Sequence, residues 1–307
     1  MRKILWWAVA YTLLVIVWGA WVRISHSGDG CGASWPFCKD QLIPLVTEKK
    51  TWIEYTHRAM SGLYGILILG LLIKVRRDSK SALETRFWMK LTFLFMITEA
   101  LLCATLVKKG YVGTNDSPHR AFVMALHFVN SLFLTGTLTL TALFSETSHW
   151  RRVSWHEIRG LSARLLQRIP LGTMVIFVLV GLTGTVAALS NTLYPSNSLL
   201  AGLAADLDPN SHYLLRLRGL HPTLGLFLGI GFVIFFYLVS ESLEASQAVL
   251  KKRAFALALG FACLVIVGAL TLLFEAPLPL RLLHLLLAHG LWILILSFWQ
   301  RLRYTPN

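Results

Sequence analysis

Eight apolar runs of this chain are each long enough to cross a bilayer, and they constrain its fold more than any other feature. A helix needs about 20 residues to span roughly 30 Å of hydrocarbon. Hydrophobic residues make up 55% of the chain and charged residues 14%, a balance far from that of soluble proteins. The sequence therefore predicts an all-α polytopic membrane protein with eight transmembrane helices. The runs are Leu5–Val22, Trp52–Ile73, Trp88–Val107, Ser117–Phe144, Leu171–Leu189, Tyr213–Val239, Ala254–Phe274 and Leu280–Gln300.

Basic residues lie at alternate ends of these runs. The groups are Arg2 with Lys3, the stretches 74–90, 151–168 and 251–253, and Arg301 with Arg303. By the positive-inside rule these ends are cytoplasmic, and so are both termini. The net charge of +14 then reflects topology, and nucleic-acid binding is disfavoured because the basic residues sit in short loops beside the membrane. The first run is too long for a signal peptide, so we expect it to be retained.

The chain contains a tandem repeat. The first run ends in GAWVRISHS and the fifth in GTVAALSNT, and each is followed by a loop and a run with an early histidine. Gly19 precedes His57 by 38 positions, and Gly184 precedes His221 by 37. We predict two tandem, pseudo-symmetric four-helix bundles related by an axis along the membrane normal. The predicted division is a first bundle at 1–150, a cytoplasmic connector at 151–170 and a second bundle at 171–307.

Each repeat carries two histidines, one in its second run and one in its fourth. They are His57 and His127, then His221 and His284. A lone histidine in an apolar helix is usually a packed residue, but two per repeat suit a cofactor held between facing helices. A structural zinc site would need four close ligands, usually with cysteine. We therefore favour one haem per repeat, with its iron bound axially by imidazoles.

Charged residues accompany the early histidines. Glu54 lies three positions before His57, and Arg218 lies at the same offset before His221, so each shares a helix face with its histidine. A carboxylate at one site suggests chemistry there, whereas a guanidinium at the other suggests propionate binding or electron transfer. The alternative for Glu54 is a surface ion pair with Arg58 at the membrane interface.

The loop 25–51, on the predicted extracytoplasmic side, contains GDGCGASWPFCKD with Cys31 and Cys38. That compartment permits disulfides. Two interpretations stay open, a structural staple for the loop and a redox-active pair beside a haem edge. Cys103 and Cys263 lie inside apolar runs, and we interpret them as small packing residues.

Four stretches together resemble one known family. They are VRISHSGDGCGASWPFC, EYTHRAMSGL, ALHF and PLPLRLLH, in this order. The family is that of haem A synthases of the bacterial type with paired cysteines in an extracytoplasmic loop. The resemblance covers essentially the whole chain, and the cysteine loop with EYTHR is its most specific part. It implies a multi-pass protein of the bacterial inner membrane.

The resemblance implies a reaction and a set of roles. Haem A synthase oxidises a methyl group of haem O to a formyl group through hydroxylated intermediates, which gives haem A for terminal oxidases. By the matching motifs, the first histidine pair, His57 and His127, would flank the substrate haem. The second pair, His221 and His284, would bind one haem b.

The resemblance also assigns the carboxylate and the cysteines. Glu54 would be catalytic, either by stabilising positive charge on the oxidised methyl carbon or by accepting a proton from attacking water. Cys31 and Cys38 would form a disulfide. Haem O, haem A and membrane lipid are the implied partners, and an association with haem O synthase, a protohaem farnesyltransferase, is compatible with the insoluble substrate. A homo-oligomer is left open.

Some residues fall outside the family pattern. Pro222 follows His221 and is expected to kink its helix, because proline lacks a backbone donor. Glu99 lies inside the third run, where we expect an amide in this family. A carboxylate at that depth is a candidate proton relay, or a neutral group bonded to Thr98 or Thr105.

Two spare imidazoles and two other functions remain as alternatives. His289 and His119 each lie near a predicted ligand and could replace it. A quinol-linked di-haem b electron carrier would also need paired histidines, but it has no use for Glu54. A haem exporter or chaperone would need one haem site, whereas the repeat predicts two.

Overall fold

The computed structural model describes residues 1–45, 47–153 and 163–306. Most of the described chain is helical. The helices are α1 Arg2–Ile24, α2 Lys49–Arg77, α3 Leu83–Lys108, α4 Pro118–Phe144, α5 Ala163–Leu193, α6 Leu199–Leu207, α7 Tyr213–Arg218, α8 Leu220–Ser242, α9 Ala248–Leu273 and α10 Leu278–Arg303. Two short strands, β1 Trp150–Arg152 and β2 Tyr304–Pro306, form an antiparallel pair.

The eight predicted transmembrane helices are all present. Each predicted run coincides with a span that is long and apolar enough to cross a membrane, and the observed helices extend the runs by a few residues. Helix α4 begins where the sequence provides a start signal, since Ser117 caps it and Pro118 occupies its first turn. Part of the predicted connector, 154–162, lies outside the described residues.

The sixth span is interrupted at its outer end, by which we mean the end predicted to be extracytoplasmic. Helix α7 ends at Arg218, Gly219 separates the two segments, and α8 begins at Leu220. Pro222 explains the break, because its ring removes the backbone donor that would bond the carbonyl of Arg218 and clashes with that carbonyl. The expected kink is therefore a short interruption just before His221.

The helices pack as two bundles with equivalent contacts. In the first half α1 packs on α2, α2 on α3, and α3 on α4, and α4 also packs on α1. In the second half α5, α8, α9 and α10 repeat this cycle. The halves meet through α4 with α10, α1 with α10, and α4 with α5. A pseudo-twofold axis exchanges α1 with α5 and α4 with α10, so it converts the contact of α1 with α10 into that of α5 with α4.

The helices α4 and α10 pack closely at the seam between the halves. The indole Nε1 of Trp292 on α10 donates to the Leu132 carbonyl on α4 at 2.8 Å. A Cβ on Gly136 would lie 2.8 Å from the same nitrogen, so the glycine admits the indole. Trp292 also stacks on Phe177 of α5, with ring centroids 5.8 Å apart. One buried side chain thus joins three helices from both halves.

Replacing Trp292 with phenylalanine should loosen the seam. The substitution removes a buried hydrogen bond worth about 1 kcal/mol, which should lower the unfolding midpoint by about 2–4 °C. The measurement is thermal unfolding of the purified protein in detergent. Trp7, which is 74% exposed, provides the matched control, because Trp7→Phe should leave the midpoint unchanged. Equal shifts in the two variants would contradict this role for Trp292.

Candidate functional site

A glycine contacts the first histidine of each repeat. A Cβ on Gly19 of α1 would lie 2.8 Å from Cε1 of His57, and a Cβ on Gly184 of α5 would lie 2.8 Å from Cε1 of His221. The two pairs that the sequence repeat predicted are therefore equivalent in space. Each imidazole lies against the backbone of the preceding transmembrane helix, which leaves the rest of the ring directed into its bundle.

The two histidines of the second pair are close neighbours. The ring centroids of His221 and His284 are 6.1 Å apart, and the rings are nearly perpendicular. Two imidazole nitrogens that each bind a metal at about 2.0 Å place their ring centroids roughly 6 Å apart. Nδ1 of His221 lies 3.2 Å from the Val180 carbonyl, which makes it the N–H donor and leaves Nε2 with the free lone pair.

The surroundings of this pair fit a haem better than a zinc ion. Gly268 of α9 lies against His284 as Gly184 lies against His221, with its Cβ position 3.0 Å from Cε1 of the ring. Nδ1 of His284 is buried without a hydrogen-bond partner. Across the described part of the chain, no three His, Cys, Asp or Glu side chains converge as a tetrahedral zinc site would require.

The first pair has a more polar environment. Nε2 of His127 lies 3.2 Å from Sγ of Cys103 and 3.6 Å from Oε1 of Glu99, and both neighbours belong to α3. Cys103 was interpreted from the sequence as a packing residue, but it contacts the predicted ligand. The sequence contained one indication of this contact. Cys103 follows Glu99 by four residues, which places both side chains on one face of α3. Nδ1 of His57 is buried and unpaired.

Glu99 is held by the helix that carries His127. Asn130 donates to Oε2 at 2.7 Å, and the Ser131 hydroxyl donates to Oε1. Thr98, one of the two partners expected from the sequence, instead donates to Asn130 at 2.6 Å. Thr98 and Asn130 line a lipid-facing groove of about 360 Å³ between α3 and α4. These two side chains therefore separate the carboxyl group from lipid and offset the cost of its burial.

Glu54 is buried, in contrast to the surface ion pair considered as its alternative. Its residue is 3% exposed. Oε1 accepts from Nε and Nη2 of Arg58 at 3.1 and 2.5 Å, and Oε2 accepts from the backbone N–H of Cys31 at 2.8 Å. The same guanidinium donates to the carbonyls of Ser34 and Phe37. The pair therefore connects α2 to the cysteine loop.

The cysteine loop is closed by the predicted disulfide. Cys31 and Cys38 are bonded, and both are buried. The Thr51 hydroxyl donates to the Gly30 carbonyl at 2.7 Å. Gly30 is required there, since a Cβ would lie 2.6 Å from the Lys50 backbone. The loop thus lies directly on the first turn of α2, three residues before Glu54.

Arg218 has an equivalent position and the opposite charge. Its Nε donates to Asp206 of α6 at 2.8 Å, and its other nitrogens donate to Asn191 and to the carbonyls of Tyr194 and Gly202. The guanidinium therefore anchors the second outer loop. The propionate-binding role predicted for Arg218 stays a prediction. In this structure the guanidinium bonds protein groups of the second outer loop instead.

A family model described as COX15-CtaA, cytochrome oxidase assembly protein, matches residues 2–296. The chain belongs to the COX15-CtaA family. The match extends through both bundles and includes all four predicted haem ligands.

Curated relatives carry two different names. A protein of Thermus thermophilus named protoheme IX farnesyltransferase is 36% identical over 289 residues, which is 94% of this chain and 46% of that protein. A heme A synthase of Exiguobacterium sibiricum is 33% identical over 178 residues, 57% of this chain and 55% of that protein. A heme A synthase of Geobacillus kaustophilus is 38% identical over 149 residues, which is 47% of this chain and 44% of that protein. This chain spans about half the length of the relatives it matches.

The two spare histidines of this COX15-CtaA chain lie apart from the ring pairs. His289 is 1% exposed, packs against Phe128 at the seam, and has neither ring nitrogen bonded within the described residues. His119 is exposed and stacks on Tyr111 at the outer surface. The ligand set of His57, His127, His221 and His284 stays a prediction.

Arg58→Gln should release the cysteine loop of this family member. Glu54 would lose its charged partner, and two loop carbonyls would lose their donor, so the loop should open about 10-fold more often. The measurement is the rate at which a water-soluble phosphine exposes Cys31 and Cys38 to a thiol label. The matched control is Arg218→Gln, which removes the same group from the other loop. Equal labelling rates in both variants would contradict anchoring by Arg58.

Proposed function

We propose that this chain is a haem A synthase, which oxidises a methyl group of haem O to a formyl group through hydroxylated intermediates. The observation that carries the proposal is the difference between the two histidine sites. His127 lies beside the partly buried carboxyl group of Glu99, and Glu54 lies one turn before His57, whereas His221 is bonded to a neutral backbone carbonyl. A permanent electron-carrying pair has no need of this difference.

The names of the relatives are compatible with this proposal. Farnesyl transfer to protohaem gives haem O, which haem A synthase then consumes, so the two names describe consecutive reactions. The farnesyltransferase name belongs to a Thermus protein of which this chain covers 46%, and the uncovered part is longer than the matched one. The relatives named heme A synthase are matched over 178 and 149 residues at 33% and 38% identity, and they support the oxidation step.

In the proposed reaction the first bundle binds haem O. His57 and His127 lie on its second and fourth transmembrane helices, and they would bind the two faces of the substrate iron. Glu54 is the candidate catalytic residue. Its carboxylate would stabilise positive charge on the methyl carbon or accept a proton from attacking water. Arg58 and the Cys31 amide hold the carboxylate in one orientation for either role.

The second bundle would hold haem b as a resident cofactor. When bound there, haem b supplies a one-electron redox centre. His221 and His284 are the residues that would hold it, with His221 fixed in the required tautomer by Val180. Gly184 and Gly268 allow the two rings to pack against the backbones of α5 and α9. The division into two bundles would thus separate the exchanging substrate from the permanent cofactor.

The proposal also places the protein in its cell. Eight apolar helices make it an integral membrane protein. We assign it to the bacterial inner membrane with both termini in the cytoplasm, because basic residues cluster at that side. The cysteine loop, the ion pair of Glu54 and the outer halves of both histidine sites then lie towards the extracytoplasmic side.

The test of the function is haem extraction from membranes that contain this chain and a source of haem O. Chromatography should show haem A or its hydroxylated precursor only when the chain is present, with an empty-vector membrane as the control. Tightly bound protohaem with unchanged haem O would contradict the synthase and favour the di-haem carrier. Haem O released to an added acceptor without oxidation would favour the exporter.

Glu54→Gln should abolish product while retaining bound haem. Glutamine keeps the volume and an oxygen that can accept from the Cys31 amide, but it loses the charge, so turnover should fall by about 10²-fold or more. The measurement is haem A per bound haem in the extraction assay. Glu48→Gln is the matched control, since Glu48 precedes α2 and pairs with Lys39 in solvent. Normal turnover of Glu54→Gln would remove the catalytic role.

His221→Ala should remove the resident haem. The expected loss is one haem per chain, because the remaining imidazole of His284 holds the iron from one side only. The measurement is haem stoichiometry in purified protein that stays monodisperse. His289→Ala is the matched control on the neighbouring helix and should retain the haem. The reverse pattern would move the ligand role to His289.

A further inference from the structure

Three arginines converge at the outer end of the seam between the two halves. Nη1 of Arg23, near the end of α1, donates to the Ala188 carbonyl of α5 at 2.8 Å. Nη2 of Arg281, in the first turn of α10, donates to the Asn191 carbonyl at 3.0 Å. Both guanidinium groups therefore sit at the same end of α5. Arg120 of α4 lies at the same end, because it donates to the Asn115 carbonyl and the adjacent Asp116 accepts from Tyr194, which directly follows α5.

These arginines lie just outward of the histidine sites on the same helix faces. Arg281 precedes His284 by three residues, which is about 4.5 Å along α10. Arg120 precedes His127 by seven residues, which is two turns or about 10 Å along α4. Arg23 follows Gly19, the residue against His57, by four. The cluster therefore borders the outer edge of the first pair and of the second.

The cluster is short of negative charge. Arg23 and Arg281 bond to neutral acceptors at the end of α5, and Nη1 of Arg120 donates to the carbonyls of Gly113 and Asn115. Nε of Arg120 and Nε of Arg281 are buried without a partner, and Arg120 is only 3% exposed. The Nη donors bond carbonyls at a helix end and in a loop, which gives them a structural role. The two buried Nε groups have no acceptor among the described residues, and that role does not explain their burial.

The carboxylate of Asp116 is already engaged elsewhere. Asp116 influences Arg120, but it is exposed and accepts from the Tyr194 hydroxyl at 2.6 Å. That bond lowers the pKa of the Asp116 carboxyl below its usual range, and His212 lies 3.6 Å away. By contrast, Arg58 and Arg218 each have a carboxylate within hydrogen-bond distance. Three guanidinium groups thus face one exposed acid.

We propose that Arg23, Arg120 and Arg281 form a carboxylate-binding site shared by the two bundles, and that its ligands are the propionate groups of the two haems. The inference rests on the proposed function for the presence of haem in each bundle. Guanidinium groups bind carboxylates through paired, charge-assisted hydrogen bonds. A propionate carboxylate would therefore supply the acceptor that the two buried Nε groups do not have in the described structure. The propionate edges of both macrocycles then meet at the end of α5, and the substrate is oriented by the same cluster as the cofactor.

The test compares protohaem with its dimethyl ester, which lacks the two negative charges. The full chain is produced without haem, placed in lipid nanodiscs and titrated with each compound while the Soret band is followed. Arg23→Gln, Arg120→Gln and Arg281→Gln should each weaken protohaem binding by about 10-fold or more. Binding of the ester should be equal in the variants and the unaltered chain. Arg281→Lys should recover part of the loss.

Matched controls separate this role from a structural one. Arg253→Gln removes an arginine that also donates to a backbone carbonyl, that of Ser297, but lies at the opposite end of the second bundle, and it should affect the acid and the ester equally. Equal losses of acid and ester in the three cluster variants would show that the arginines only support the fold, and would overturn the proposal. Unchanged affinity for both compounds would overturn it as well.

The remaining outcomes distinguish a lipid ligand and a failed function. Loss of co-purified anionic lipid in the variants, with protohaem affinity unchanged, would assign the cluster to a lipid phosphate and overturn the propionate assignment. Because the titration needs no turnover, an acid-specific loss supports the cluster even if haem O is never oxidised. Conversely, normal oxidation of haem O with no acid-specific loss would overturn the cluster and retain the synthase.

Discussion

Charge buried near a membrane has to be paired, and the outer ends of both bundles depend on one such pair each. In the first half the carboxylate of Glu54 is on the transmembrane helix and is paired with Arg58 one turn later. In the second half Arg218 takes the position equivalent to Glu54, and the carboxylate of Asp206 comes from the loop helix α6. Each arginine also binds carbonyls of its own outer loop. The charges are exchanged, but the loop is anchored in both cases.

This exchange explains how two equivalent bundles acquire different sites. Anchoring the second loop places an arginine on the face of His221, whereas anchoring the first loop leaves a carboxylate on the face of His57. Glu99 and Cys103 add further polarity beside His127. Both halves keep the same glycine contact to their first histidine, Gly19 with His57 and Gly184 with His221. Two haems of unlike behaviour can therefore be supported by one repeated scaffold.

The sequence predicted what depends on single helices and on spacing. Hydrophobic length located the spans, Pro222 indicated the interruption of the sixth span, and the repeat indicated that Gly19 with His57 and Gly184 with His221 hold equivalent positions. It could not predict partners brought together from distant helices. The bond of Asn130 to Glu99 joins α3 to α4, and Trp292 bonds a carbonyl 160 positions away. Such contacts depend on helix rotation and on which helices adjoin, and periodicity in one helix leaves both undetermined.

The seam between the bundles is apolar at depth and charged at its outer end. Trp292 and Phe177 stack in its interior, and His289 is buried there against Phe128 without a hydrogen bond in the described structure. A neutral imidazole is the form that such surroundings favour, because an unpaired buried charge is costly. The outer end has the opposite character, since the arginine cluster gathers there around the end of α5. A negatively charged group that reaches both histidine sites is therefore best accommodated at the outer end, where the arginines compensate its charge.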